Sequence, residues 1–183
     1  MKKLLLFSAI ALTVCYPFIV YWGLQQYDAK FLLPILLLIL AARWLAFDGR
    51  SERKVLLLTI LGISIIVFTG NHQLGLKFYP VLMNLGFLIL FASSLSTSTS
   101  FVERIARLTE PDLPPQAVIY TRKVTWAWVI FFVINGSIAA ITALYASKEI
   151  WLLYNGLISY GLMAILAASE WLIRQRVKRS AQS

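Results

Sequence analysis

The chain has 183 residues, of which 60% are hydrophobic and 14% charged, with a net charge of +9 at pH 7 and a mean hydropathy of +0.77. A soluble domain of this length lacks the polar surface to cover such a core, so the composition excludes an ordinary soluble globular protein. Nucleic acid is not expected as a partner, because anionic lipid headgroups beside a membrane protein explain the basic charge better. No Pro/Gly-rich linker interrupts the chain, which predicts a single domain over residues 1–183.

The first apolar stretch follows Lys2 and Lys3 and runs over residues 4–24. It begins like a signal peptide, but it is long enough to span a bilayer and no clear small-residue cleavage site follows it. We therefore expect a retained transmembrane helix. Cys15, the single cysteine, lies inside this stretch, so no internal disulfide can form.

Further apolar stretches follow at intervals that suit short loops, and each is close to the length that a membrane-spanning helix needs. The sequence therefore predicts an all-α polytopic membrane protein with about six transmembrane helices. The predicted spans are residues 4–24, 31–47, 55–70, 79–95, 124–144 and 151–173.

The basic residues predict how these spans are oriented. With the N-terminus in the cytoplasm, fourteen of the 17 Lys and Arg residues fall on the cytoplasmic side, and only Lys30, Lys77 and Lys148 fall outside. Retention of basic loops in the cytoplasm predicts a multi-pass protein of the bacterial inner membrane with both termini cytoplasmic. Tryptophans favour the headgroup level, which predicts Trp22 and Trp151 at the outer interface and the other four at the inner one.

The longest predicted cytoplasmic loop, residues 96–123, contains a helix signal. Ser100 followed by Glu103 fits a capping box, in which the two side chains bond to free backbone amides at the start of a helix. The predicted helix runs from Phe101 to Leu108 and ends before a proline-rich segment. We expect it to lie in the inner membrane interface. Its apolar face contains Phe101, Val102, Ile105 and Leu108, and its charged face contains Glu103, Arg104 and Arg107.

Three asparagines, Asn84, Asn135 and Asn155, lie inside predicted spans, where a polar group is costly unless it is bonded. Each is near a glycine, a pattern that lets helices approach closely enough for an amide to bond across the contact. One interpretation is that they join helices. The other is that they line a polar cavity.

The cavity interpretation has additional support in the outer half of the membrane. Pro17, Pro34 and Pro80 fall at about the level of Asn84 and Asn155, and proline leaves carbonyl groups that need other partners. We therefore hypothesise a partly hydrated cleft that opens to the outer side and takes a polar or amphipathic group. The candidate substrate-binding residues are Asn84, Asn135, Asn155, Tyr154 and Lys77.

No catalytic or cofactor motif is present, and we expect neither an enzyme, a metal site nor a cofactor. Glu170, the one acidic residue within a span, is four residues before Arg174, which predicts an ion pair along the helix. His72, the single histidine, is in a predicted outer loop without the further ligands that a metal would need.

Dispersed segments resemble the intracellular septation protein A family, also called the inner-membrane-spanning protein YciB family. The resemblance covers nearly the whole chain in order and length, but Thr125 and Leu153-Tyr154-Asn155 replace polar patterns of the family, which indicates a divergent branch. The matching segments are Ala127-Trp128-Val129-Ile130-Phe131-Phe132 with Gly136, Ile150-Trp151, Pro17 with the stretch to Tyr27-Asp28, Arg50-Ser51-Glu52-Arg53-Lys54-Val55, and Leu76-Lys77-Phe78.

The resemblance implies a non-enzymatic inner-membrane protein that supports envelope or cell-division integrity by contact with other inner-membrane proteins and with membrane lipids. Within that branch it also suggests an association with aryl-polyene or fatty-acid-type gene sets. The alternative is a small carrier or lipid-handling protein that uses the outer cleft for an amphipathic or acyl-type substrate. The sequence specifies no oligomeric state.

Overall fold

The computed structural model describes residues 15–46, 50–68 and 70–180, and this part of the chain is helical with no strand. The predicted all-α class is confirmed to that extent. In chain order the elements are α1 (residues 15–26), α2 (Ala29–Ala46), α3 (Arg50–Phe68), α4 (His72–Lys77), α5 (Tyr79–Leu95), α6 (Phe101–Arg107), α7 (Pro115–Tyr145), α8 (Lys148–Leu152), a π-helical segment (Leu153–Ile158) and α9 (Ser159–Ser180).

Two helical stretches among the described residues are long and apolar enough to cross a membrane. One is α7 (Pro115–Tyr145), and the other is Lys148–Gln175, which joins α8, the π-helical segment and most of α9. They carry the predicted spans 124–144 and 151–173. The stretches Ala29–Ala41 and Tyr79–Leu95 are apolar but shorter than 18 residues. Residues 4–14 of the first predicted span, including the segment that resembles a signal peptide, lie outside the described residues. The number of spans therefore stays a prediction.

The helices pack around α5, which lies between α7 and α3, while α4 packs against α2 and α3, and α6 rests on α7. One apolar core joins the first five helices to Trp151. A second, largely aromatic core joins α5 to α7, where the Phe91 and Phe132 rings meet edge to face with centroids 5.2 Å apart. These two cores fix how α5 and α7 face each other, and both helices carry candidate site residues.

Helix α4 occupies a segment that was expected to be a plain outer loop. Gly70 adopts a positive φ of 84°, and the Asn71 side chain then caps the helix by accepting from the Leu74 amide at 2.9 Å. Leu76 is fully buried, and its carbonyl accepts from the Tyr16 hydroxyl at 3.0 Å. The helix is too short for apolar periodicity to reveal it, although the Gly-Asn pair is a start signal.

The π-helical segment was not expected either. A buried tryptophan, Trp151, lies just before it in α8. Trp151, predicted at the outer interface, is 1% exposed, and its Nε1 donates to the Lys77 carbonyl at 3.2 Å. The ring packs into the core beside α4, and its level relative to a membrane stays a prediction. The wider π turn that follows contains three consecutive buried residues, Tyr154, Asn155 and Gly156.

Candidate functional site

Asn84 on α5 and Asn135 on α7 meet across the contact between these two helices. The Asn135 Nδ2 donates to the Asn84 Oδ1 at 2.9 Å, and the Asn84 Nδ2 donates to the Pro80 carbonyl at 2.8 Å within its own helix. Gly136 makes the approach possible, since a Cβ placed there would lie only 3.1 Å from the Asn84 Cβ. Both asparagines are buried, so these bonds satisfy amide groups that would be costly to leave unbonded.

Tyr154 completes a chain of three side chains. Its hydroxyl donates to the Asn135 Oδ1 at 2.9 Å, so Asn135 bonds to one neighbour through its nitrogen and to the other through its oxygen. We call Asn84, Asn135 and Tyr154 the amide cluster. It ties α5, α7 and the π-helical segment together.

Asn155 is adjacent to Tyr154 in sequence but bonds elsewhere. Its Nδ2 donates to the Thr142 Oγ1 at 3.1 Å and to the Trp151 carbonyl at 3.0 Å. Thr142, which the sequence reasoning did not single out, therefore fixes a second contact between α7 and the π-helical segment. A threonine in a span gives little signal, because its hydroxyl can bond to its own helix, as Thr142 also does with the Ala139 carbonyl.

Lys77 lies apart from the amide cluster, at the end of the bundle where α4 meets α8. Its Nζ donates to the Ala146 carbonyl at 3.4 Å, and the nearby Lys148 Nζ donates to the Leu24 carbonyl at 3.2 Å. Partial burial lowers the pKa of Lys77 from its ordinary value, and the positive charge of Lys148 lowers it further. Each ammonium group thus bonds to a carbonyl at the C-terminal end of a helix, α7 for Lys77 and α1 for Lys148.

Two cavities flank the amide cluster. One, of about 160 Å³, is lined by Pro17, Pro80, Asn84 and Asn155 among others, and so brings together four residues of the predicted outer cleft. The other, of about 330 Å³, is lined by Asn135 and Tyr154 and is otherwise mostly apolar. Pro34 and Lys77 line neither of these two cavities. Whether water enters from the outer side stays a prediction.

Helix α6 matches the predicted position, ending at Arg107, and contains a buried acid that is paired within the helix. Glu103 is 3% exposed, and its Oε1 accepts from the Arg107 Nε at 2.9 Å and from the Arg107 Nη2 at 2.8 Å. Ile105 and Leu108 are exposed, as is Arg104. Glu103 therefore faces the protein, whereas the sequence reasoning placed it on the solvent face opposite the apolar residues.

The prediction of a capping box at the start of α6 is wrong, because the structure does not contain the expected hydrogen bonds. Ser100 does occupy the capping position, but its buried hydroxyl has no hydrogen-bond partner within the described residues. Ser94 takes its place, since its Oγ accepts from the Phe101 amide at 2.9 Å. Glu103 is committed to Arg107 and so cannot reach back to the cap.

The ion pair predicted between Glu170 and Arg174 is also wrong. The Arg174 Nη2 lies 3.9 Å from the Glu110 Oε2 instead, which joins α9 to the segment after α6. The backbone carbonyl of Glu170 accepts from the Tyr120 hydroxyl at 3.1 Å. Burial raises the pKa of Tyr120, and the Glu170 charge raises it further. Contacts between helices that are far apart in sequence thus replaced a local pair.

Potential metal ligands are scattered. The described residues contain no group of three or more His, Cys, Asp or Glu side chains that could hold an ion. The thiol-bearing Cys15 is exposed on α1, and the Nδ1 of His72 is buried on α4 without a hydrogen-bond partner in that part of the chain.

No family model, curated protein or solved structure matches the chain.

Proposed function

We propose that the chain is a multi-pass protein of the bacterial inner membrane, with about six spans and both termini in the cytoplasm. The most apolar stretch of the helix Pro115–Tyr145 is only 33% buried, and that of Lys148–Gln175 only 28%. Large apolar side chains also project outward from other helices, including Leu38 at 70%, Ile65 at 68% and Ile165 at 64% exposure. Lipid is the environment in which such a surface is stable.

The positions of the basic residues support the proposed orientation. Lys54 and Arg104 line one cavity, and Arg122 donates to the Leu95 carbonyl at 2.5 Å, so three predicted cytoplasmic cations are associated with the same end of α5. Lys77 and Lys148 are close neighbours at the far end of the bundle. This separation of five basic residues is consistent with the positive-inside rule and supports the proposal.

Within that membrane we propose a non-enzymatic role in envelope or cell-division integrity, exerted through contacts with other membrane proteins. The observation that carries this proposal is helix α6. Its first turn is anchored to neighbouring helices, since the Phe101 ring packs on Phe91 and the Val102 amide donates to the Thr125 Oγ1 at 3.4 Å. Arg104, Ile105 and Leu108 remain exposed on it. An anchored helix that exposes two large apolar side chains and a cation suits recognition of a partner at the membrane surface.

The state of the amide cluster also favours this role. Each of its three side chains already bonds to another member or to the backbone, so its polar groups stabilise helix contacts. The resemblance to the intracellular septation protein A family is consistent with the same role and supplies its biological setting.

The test compares two variants in a strain that lacks its own copy of the protein. Ile105→Ser/Leu108→Ser changes the exposed face of α6, and Asn84→Ala/Asn155→Ala changes the membrane interior. We expect the α6 variant to lose envelope integrity, measured as uptake of an impermeant dye, while the asparagine variant keeps it at equal membrane abundance. Loss of integrity in the asparagine variant but not in the α6 variant would overturn the proposal and favour a carrier.

A small carrier or lipid-handling protein is the second candidate, and the cavity lined by Asn84 and Asn155 favours it. Mass spectrometry of molecules that co-purify in mild detergent tests this candidate directly. A defined lipid or acyl product that is present with the wild type and lost in Asn84→Ala/Asn155→Ala would support it. Bulk lipid alone in both samples would count against it.

A further inference from the structure

A third cavity, of about 370 Å³, opens between α3, α5 and α6, away from the amide cluster. Its size is within the range of small-molecule sites. Its lining is divided by chemistry: Lys54, Arg104, Ser93 and Thr97 are polar, whereas Leu58 and Ile89 belong to its apolar part. A cavity of this kind suits an amphiphile rather than a wholly polar solute.

The polar end has an excess of positive charge. Arg104 is held in place, since its Nη2 donates to the Thr97 Oγ1 at 3.1 Å and its Nε donates to the Thr99 carbonyl at 3.2 Å. The Lys54 ammonium makes no hydrogen bond or ion pair in the part of the chain that the structure describes. Among the side chains that the structure describes, no Asp or Glu lines the cavity, and the neighbouring Glu103 is already paired with Arg107. An anion is therefore the ligand that this end would attract.

The apolar end continues along α5 toward the middle of the bundle. From Ser93 to Gly86 the helix advances about 10 Å at its usual rise. Leu58 and Ile89, on the two facing helices, are each about half exposed. At the Gly86 level α3 and α5 come together, since a Cβ on Gly86 would lie 2.5 Å from the Val55 Cγ1. The cavity thus combines a cationic rim, formed by Lys54 and Arg104, with an apolar floor that includes Leu58, Gly86 and Ile89.

We propose that this cavity binds an anionic glycerophospholipid, with Lys54 and Arg104 on the phosphate and part of an acyl chain along Leu58 and Ile89. The charged rim alone would accept inorganic phosphate. The apolar floor favours a ligand that carries an acyl chain as well as a phosphate. The inference rests on the proposed membrane location, and it is independent of the proposed role in envelope integrity.

The test measures binding of phosphatidylglycerol to the full chain purified in mild detergent, by native mass spectrometry with phosphatidylcholine as the neutral comparison. Lys54→Gln/Arg104→Gln removes the cationic rim. Lys77→Gln/Lys148→Gln makes the same change in net charge at the other end of the bundle and is the matched control. Leu58→Trp keeps the cations and fills the apolar floor. Equal elution volume in size-exclusion chromatography and equal membrane abundance identify variants that still fold.

We expect phosphatidylglycerol to bind at least about tenfold more weakly to the rim variant, because each lipid-facing cation contributes appreciably to the attraction. The control should bind it as the wild type does, and Leu58→Trp should lose it although its charge is unchanged. Equal binding by the rim variant and the control would overturn the proposal. So would displacement of the lipid by inorganic phosphate at equal concentration, or unchanged binding by Leu58→Trp. A chain absent from the membrane fraction would instead refute the proposed location.

Discussion

At the scale of single residues, the buried asparagines show how a membrane protein can make polar side chains useful. An unbonded amide in an apolar interior is expensive, but a bonded amide between two helices contributes a modest stabilisation and fixes which faces meet. Asn135 does this twice, since it donates to Asn84 and accepts from Tyr154. It is therefore the residue on which the amide cluster depends most.

Replacement of Asn135 by alanine should destabilise the fold by about 1–2 kcal/mol, because it removes the hydrogen bonds to the Asn84 Oδ1 and the Tyr154 hydroxyl. Tyr154→Phe removes only one bond and should cost about 0.6 kcal/mol. The midpoint of unfolding by sodium dodecyl sulfate in mixed micelles measures both values. An Asn135→Ala cost no larger than that of Tyr154→Phe would contradict the central position of Asn135.

Lys77 predicts a dependence of stability on alkaline pH. Burial lowers its pKa in the folded state, so the folded protein loses this proton at a lower pH than the unfolded chain does. Below the lowered pKa the protonated form disfavours folding, and this penalty disappears as the pH rises toward the ordinary lysine value. The Lys77 contribution to stability therefore increases over that window.

The difference in unfolding midpoint between wild type and Lys77→Gln isolates this contribution, because other alkaline titrations are shared by both proteins. We expect the wild type to gain relative to the variant as the pH rises through the window. Lys148→Gln should reduce the gain, since it removes a charge that lowers the Lys77 pKa. A difference that is flat with pH would refute the role of burial.

At the scale of elements, glycines set how closely α3 and α5 approach. A Cβ on Gly86 would lie 2.5 Å from the Val55 Cγ1 and 3.2 Å from the Val55 Cβ, so rotation of the valine side chain does not relieve the clash. Gly161 on α9 offers a comparison, because a Cβ there would meet nothing within 4 Å. Alanine substitutions at these two positions therefore distinguish the effect of helix packing from the general preference of helices for alanine over glycine.

Gly86→Ala should therefore destabilise the protein by about 1–3 kcal/mol, because the two helices must move apart. Gly161→Ala should be neutral or slightly stabilising, since alanine is the better helix former and has room. Unfolding midpoints of the two single variants under identical detergent conditions provide the measurement. Equal effects would show that α3 and α5 tolerate separation.

At the scale of the whole molecule, basic side chains of the described residues lie near opposite ends of α5: Lys54, Arg104 and Arg122 at one end, and Lys77 and Lys148 at the other. If the bundle spans the inner membrane as proposed, the end with Lys77 and Lys148 faces outward, and the α6 end faces the cytoplasm. The proposed topology then has direct consequences for chemical access.

Single cysteines at positions 73 and 109, in a Cys15→Ser background, test that topology with a membrane-impermeant maleimide on cells whose outer membrane has been permeabilised. We expect the cysteine at position 73 to react in these intact inner membranes, and the cysteine at position 109 only after the inner membrane is lysed. Reaction of both before lysis, or the reverse order, would reject the orientation.

The sequence by itself determined the helical class, the position of α6 and the two longest apolar helices. Those features depend on local composition and on start and stop signals, which each segment carries independently of its neighbours. The sequence also identified Asn84, Asn135 and Asn155 as residues that need partners, because the cost of an unbonded amide does not depend on which partner it finds.

Only the tertiary structure decided which partners those residues have. Asn135 bonds to Asn84 and Tyr154, Asn155 bonds to Thr142, and Arg174 pairs with Glu110 rather than with Glu170 on its own helix. The rotation of each helix and the widening of the π-helical turn set these contacts, and both arise from packing between segments far apart in the chain. The cavity beside Lys54 and Arg104 was absent from the sequence reasoning for the same reason, since its walls come from three separate helices.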